Sequence, residues 1–147
     1  MMLLVEDSST DAKLAIETLT HVTELDAKVT WVKTLEEAKA LYRSCDVLLS
    51  DLHLPDADLQ DVMTFCHYVR SKKPVVVFSS AYGSEAARLA GKYGLGFLRK
   101  PLAKEYLVTE IQRAHGILDA IREHDSRCER GIAILEKAEA DSILARG

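Results

Sequence analysis

Short apolar runs of strand length alternate along the chain with longer stretches in which apolar residues recur every three or four positions. That alternation predicts an α/β domain, with buried parallel strands read as continuous hydrophobic runs and connecting helices that each offer one apolar face. Met2-Leu3-Leu4-Val5 is the first run, halted by Glu6-Asp7. Ser8, followed three residues later by Asp11, has the form of a capping box, and Ala12, Ala15, Ile16 and Leu19 then take helical spacing. Val29 and Trp31, with Ala27 before them, alternate with polar neighbours as a second strand, and Thr34 with Glu37 opens another helix through Ala38 and Leu41. Val47-Leu48-Leu49 is a third strand ending at Ser50-Asp51. After a loop containing Pro55, Leu59, Val62, Met63, Cys66 and Val69 mark a helix, and Pro74 introduces Val75-Val76-Val77-Phe78, the most strand-like run in the chain. Ser79 to Gly83 reads as a loop and Ser84 to Tyr93 as a helix. Gly94 and Gly96 turn the chain into a short strand at Phe97-Leu98, ended by Lys100-Pro101, and a long helical pattern follows from Leu102. Five strand–helix units result, with no internal repeat.

The length of 147 residues fits one compact domain with a short appendage, and 48% hydrophobic residues can fill its core. With 19 Lys and Arg against 23 Asp and Glu, the charge of −4 argues against a nucleic-acid surface spanning the fold. Cys45, Cys66 and Cys128 are few, odd in number and far apart, which fits a reducing, cytoplasmic compartment rather than a disulfide framework. The opening apolar run has no basic residues before it and stops after five residues, too short for a signal peptide or a membrane span, so a soluble protein is expected.

In an open parallel sheet, the loops at the carboxyl ends of the strands gather in one crevice. Glu6 and Asp7 follow the first strand, Asp51 ends the third, Ser79-Ser80 end the fourth and Lys100 ends the fifth. Carboxylates held close repel one another, and a hard, oxygen-seeking cation such as Mg²⁺ relieves that repulsion. A hydroxyl and an ammonium beside such a site are suited to hold the oxygens of a phosphoryl group.

On four motifs the chain resembles the receiver domain of two-component response regulators: Val5-Glu6-Asp7-Ser8, Val47 through Pro55, Val77-Phe78-Ser79-Ser80-Ala81, and Phe97-Leu98-Arg99-Lys100-Pro101. The resemblance covers residues 1 to 118 and implies the doubly wound, flavodoxin-like sheet of five parallel strands in the order 2-1-3-4-5, with helices on both faces. It implies that Asp51 accepts a phosphoryl group from a histidine kinase or histidine phosphotransfer protein. Asp7, Asp51, the backbone carbonyl of His53 and Glu6, the last through water, would hold Mg²⁺. Lys100 would bind the phosphoryl oxygens across a Lys-Pro peptide that is often cis in the family. Ser79, which lies 28 residues after Asp51 and 21 before Lys100, is the better match for the hydroxyl switch, with Ser80 as the alternative. Phe97 takes the place of the aromatic switch. A downstream target, or a second copy, would meet the face of the fourth helix, fifth strand and fifth helix.

Three departures stand out. Asp58-Leu59 replaces the usual Asp-Gly pair, so a turn that needs positive φ is expected to be reshaped. The first strand is short, which reads as a trimmed or atypical start, and the turn before Lys100 is about one residue shorter than in common members. Each residue also has a plainer reading: Asp51 as a turn cap, Glu6-Asp7 as acids at a helix N-terminus, Phe97 as core, His53 lining the entrance, Trp31 as packing and the cysteines as small core residues or bystanders. An aspartyl-phosphate phosphohydrolase is the enzymatic alternative; such enzymes commonly carry a second acid two residues after the nucleophile, where this chain has His53.

Residues 119–147 form a helical extension. Leu107, Ile111, Ala114, Leu118, Ile121, Cys128, Ile132 and Leu135 keep a four-three spacing, interrupted by Asp125. Ser126-Arg127-Cys128-Glu129 has the form of a capping box, so a new helix is expected near residue 127. The extension either folds back on the receiver or serves dimerisation or partner binding, nucleic acid being disfavoured by its alternating charges. A phosphorylation-independent interaction module is the remaining alternative.

Overall fold

The computed structural model describes residues 1–22, 28–80 and 84–146. Five strands, β1 (Met2–Val5), β2 (Val29–Val32), β3 (Val47–Asp51), β4 (Val75–Ser79) and β5 (Gly96–Arg99), form one parallel sheet in the order β2-β1-β3-β4-β5. The helices are α1 (Ser9–Val22), α2 (Leu35–Leu41), α3 (Leu59–Arg70), α4 (Ser84–Lys92) and α5 (Lys104–Arg146), with a short 3-10 turn at Tyr42–Ser44.

Successive strand residues point to opposite faces, and the core divides accordingly. Leu3, Val5, Leu48, Val75 and Val77 pack with α2, α3 and α4 through Leu35, Ala38, Val62, Met63, Cys66 and Ala90. Met2, Leu4, Val47, Leu49, Val76 and Phe78 pack with α1 and α5 through Ala12, Ala15, Leu19, Leu107, Ile111 and Ala114. Because the three central strands are covered on both sides, they are continuous apolar runs. Leu41 departs from the expected apolar face and is exposed, since α2 ends there and the chain turns away.

Local chemistry starts the helices. Asp11 N–H donates to Ser8 Oγ at 3.3 Å, and Glu37 N–H donates to Thr34 Oγ1 at 3.2 Å. A second cap on α2 comes from far along the chain: the Asp56 carboxylate accepts the N–H groups of Leu35 and Glu36 at 2.9 and 3.0 Å. This ties the loop after β3 to the start of α2. At the Asp58-Leu59 departure, Asp58 becomes the N-cap of α3 in a reciprocal box with Asp61, with φ −82°. Among the described residues no non-glycine residue has positive φ, so the chain meets the missing glycine by capping the helix instead of straining the turn. Gly94 does need positive φ, at 69°, to turn α4 into β5.

The C-terminal helix differs from expectation. α5 is one uninterrupted helix of 43 residues, roughly 65 Å long at ~1.5 Å per residue, and no new helix begins near residue 127. The local box at Ser126 is overridden because nothing there breaks the helix, and an Arg127–Glu123 pair at 2.6 Å, one turn apart, spans the predicted junction. Asp125 on the stripe has no cost because every residue from 122 to 142 is exposed. That stretch therefore does not fold back; among the described residues, beyond Leu118 and the half-buried Ile121, it is tied to the receiver by Arg122, which donates to the Lys72 carbonyl at 3.1 Å. Among the described residues no helix is long and apolar enough to cross a membrane.

Candidate functional site

Parallel register brings the strand ends level. Val5 pairs with Ser50, Asp51 with Phe78 and Ser79 with Arg99, so the residues that follow converge on one edge. Glu6 and Asp51 are buried there, whereas Asp7 is exposed. A carboxylate oxygen from each of Glu6, Asp7 and Asp51 lies within 4.8 Å of the others.

Lys100 reaches into this cluster from the end of β5, where its N–H donates to the Ser79 carbonyl at 3.0 Å and its bond to Pro101 is cis. Its ammonium lies 2.7 Å from Asp51 Oδ2, 2.6 Å from Glu6 Oε2 and 2.9 Å from Asp11 Oδ2. Partial burial disfavours the charged lysine, but its bonds to Asp51, Glu6 and Asp11 outweigh that and hold its pKa above the ordinary lysine value. The other Asp51 oxygen, Oδ1, accepts the His53 N–H at 2.9 Å, while the His53 side chain is exposed.

Among the described acids, Glu6 has the large pKa shift. Burial pushes its pKa up to about 7; Lys100 and the Ser8 N–H, 3.1 Å from Oε1, pull it down, and the neighbouring Asp51 charge adds to the rise. Apart from the lysine ion pair, its Oε2 is buried without a hydrogen-bond partner. A folded-state pKa above the ordinary 4.5 means that the folded protein binds the extra proton between pH 4.5 and about 7. The metal-free protein therefore loses stability as pH rises through that window. Glu6→Gln is expected to raise the stability of the metal-free protein at pH 8 by about 1–3 kcal/mol and to have little effect near pH 4, which denaturant unfolding at the two pH values will measure. Equal effects at both would contradict the charge-burial cause.

The two serines separate. Ser79, the last residue of β4 rather than the first of a loop, is fully buried. Ser80 is exposed and lines a cavity of about 260 Å³ with Glu6, Asp11, Leu14, Phe78, Lys100 and others. Ala81, Tyr82 and Gly83 lie outside the described residues, as does Ala27. Phe97 is half-buried on the α2–α4 side of the sheet, and its N–H donates to Glu110 Oε2 of α5 at 3.0 Å. It also lines an open groove between α4 and α5 with Ala87 and the exposed Tyr106.

Two residues enter the site that their sequence context left elsewhere. Asp11 reads as a helix cap, yet its side chain meets Lys100; its place one turn after Glu6-Asp7 was the available signal. Trp31 is more than packing, because its indole N–H donates to the Glu6 carbonyl at 2.7 Å and fixes the chain where the acids begin. Cys45 and Cys66 are buried and Cys128 is exposed. Burial, slightly offset by Ser50, pushes the Cys66 thiol up to about 12, which makes it inert.

The donor set suits a hard divalent cation. It offers carboxylate oxygens alone, two of them on buried residues, and their repulsion is met by one ammonium. Glu6, Asp7 and Asp51 thus form a candidate divalent-metal site, with the Lys100 ammonium and a water-accessible cavity at its edge.

This arrangement defines a class: a doubly wound parallel α/β domain with an acidic crevice at its carboxyl edge. Within that class, the strand order, the acidic cluster and the Lys-cis-Pro turn make the fold that of the response-regulator receiver domains. The signal receiver domain of a putative LuxO repressor protein from Vibrio parahaemolyticus superposes with a TM-score of 0.63 at 26% identity, covering 84% of this chain and 93% of that one. The non-phosphorylated HemR receiver domain from Leptospira biflexa gives 0.62 at 26% identity, covering 77% and 91%. The Mn²⁺-bound form of response regulator Rcp1 gives 0.59 at 24% identity, covering 79% and 89%. No family model matches the sequence, and no curated protein matches it.

Proposed function

We propose that the protein is a phosphorylation switch or relay intermediate in two-component signalling, with Asp51 as phosphoacceptor. The observation that carries this reading is the Asp51 carboxylate itself, buried at a strand end, held through one oxygen by the His53 N–H and paired through the other with Lys100. In the proposed transfer, an Asp51 oxygen attacks the phosphorus of a phosphohistidine, the P–N bond breaks and the P–O bond of an acyl phosphate forms. Lys100 then follows the charge from the carboxylate to the phosphoryl oxygens. Mg²⁺ at Glu6, Asp7, Asp51 and the His53 carbonyl would supply neutralisation of the transferring group. The chemistry is stoichiometric, and the acyl phosphate is later lost to water.

Ser79 is the proposed hydroxyl switch and Phe97 the aromatic that responds. Both lie on the sheet face of α4, where an inward shift of one leaves room for the other. The groove beside Phe97 and Tyr106 is then the surface presented to a target protein. The reading is tested by intact-mass analysis after incubation with acetyl phosphate: one added phosphoryl group, present with Mg²⁺ and absent with a chelator, is expected. No adduct under conditions in which Mg²⁺ binds would refute the acceptor role for this class of donor.

The exposed part of α5 is the proposed contact arm, and a second copy is its occupant. Ile121, Cys128, Ile132 and Leu135 share one stripe, interrupted by Asp125, which a pair would set against its copy at a cost in stability, and Ile132 and Leu135 are 56% and 71% exposed. His124 and Glu129 flank that stripe at positions that face each other in a parallel pair. A parallel dimer sets Cys128 against its copy. Light scattering at tens of micromolar is expected to give a dimer that reverts to monomer when residues 123–147 are removed, and mild oxidation to link Cys128 to Cys128. A monomer that no oxidant cross-links would contradict self-association.

A further inference from the structure

Lys100 is shared by three carboxylates, and only two of them belong to the metal cluster. Glu6 and Asp51 each bind the ammonium through one carboxylate oxygen and each also offer a carboxylate oxygen to the acidic cluster, so a divalent cation and Lys100 draw on the same two carboxylates. Asp11 is different. It stands in the first turn of α1, is half-exposed, lies outside the cluster and holds the same ammonium at 2.9 Å.

We infer that Asp11 is a positioning residue that retains Lys100 at the crevice while Glu6 and Asp51 turn to a divalent cation. The inference rests on the reading of Glu6, Asp7 and Asp51 as a metal site and adds to it a residue that touches neither metal nor phosphoryl group. When a cation occupies the cluster, Lys100 gives up its share of two carboxylates. Without Asp11 its ammonium would be left partly buried beside a divalent charge, an arrangement that disfavours the cation. With Asp11 the ammonium keeps a charged partner and stays within reach of Asp51. Asp11 thereby makes cation binding and lysine retention compatible, where two positive groups would otherwise exclude each other.

The consequence is readable without phosphorylation. Trp31 is the sole tryptophan and bonds to the Glu6 carbonyl, so its fluorescence is the probe for titration with Mg²⁺ or Mn²⁺. Asp11→Asn keeps the side-chain shape and is expected to weaken cation binding about tenfold, whereas Asp11→Glu stays within about twofold, the range typical of coupled charged neighbours. The decisive comparison is in a Lys100→Met background, where the Asp11→Asn effect is expected to shrink to about twofold, the part due to its charge alone. An unchanged affinity in Asp11→Asn, or the same loss with and without Lys100, would overturn the inference and leave the metal site intact. No cation binding by the unmodified protein would overturn the metal site itself, and the inference with it. Circular dichroism of each variant separates these outcomes from misfolding.

Discussion

Asp51→Asn is expected to give a folded protein that takes up no phosphoryl group from acetyl phosphate in the presence of Mg²⁺. Asparagine keeps an oxygen to accept the His53 N–H, so the loop after β3 stays in place. It loses the charge that makes the side chain a nucleophile and a metal ligand. Stability moves the other way. Asp51 raises the cost of a charged Glu6, so a neutral residue at 51 relieves the crevice and the metal-free variant is expected to melt no lower than the parent at pH 8. Loss of the adduct together with unfolding would not support an acceptor role; loss of the adduct with an unchanged or higher Tm would.

Lys100→Met is expected to have the largest effect on stability as well as on phosphoryl uptake. The lysine is the shared partner of Glu6, Asp11 and Asp51, and breaking a buried pair from one side leaves the other charge uncompensated at a cost of about 3–5 kcal/mol. Near pH 7.5 and without metal, that corresponds to a fall in Tm of about 10 °C or more for a domain of this size. The pH dependence follows from two groups. The lysine's folded pKa is raised, so its contribution is fully present below the ordinary lysine pKa of about 10.4 and is lost only as pH rises through the higher folded value. Lys100 lowers the Glu6 pKa, so in the variant Glu6 takes up its proton at a higher pH than the parent's value of about 7, and the penalty of removing the lysine shrinks as pH falls towards about 7. Mg²⁺ is expected to restore much of the lost Tm, because the cation takes over the neutralisation of the same carboxylates. Phosphoryl uptake should not recover with it, since the ammonium that follows the transferring oxygens is gone. A variant as stable as the parent at pH 7.5 in chelator would contradict the role of Lys100 as the charge that holds the crevice together.

Much of this arrangement was legible in the sequence because it depends on local signals. Val47-Leu48-Leu49 and Val75-Val76-Val77 are runs that only a strand buried on both faces requires, and the acids and lysine of the site lie directly after such runs. The motif resemblance supplied the strand order, which the topology bears out. What stayed hidden is set by distance through space. Asp56 caps α2 at Leu35 from 21 residues away, and Asp11 meets Lys100 from 89 residues away; nothing in either residue's neighbourhood marks the partner. The long helix failed for the opposite reason. A well-formed local capping signal at Ser126 pointed to a break, yet a helix in water needs no apolar residue at Asp125 and has no cause to end. Similarly, Ser79 and Ser80 differ in burial by a full side chain, a difference decided by where β4 stops.

The most direct measurement is reductive trapping of the phosphorylated protein. After incubation with acetyl phosphate and Mg²⁺, borohydride converts an acyl phosphate of aspartate to homoserine, and peptide mass spectrometry locates it. Homoserine at position 51, with none at positions 6, 7 or 11, is the expected result. Reduction at another acid, or a phosphoryl group resistant to borohydride and mapped to Ser79 or Ser80, would contradict Asp51 as the phosphoacceptor.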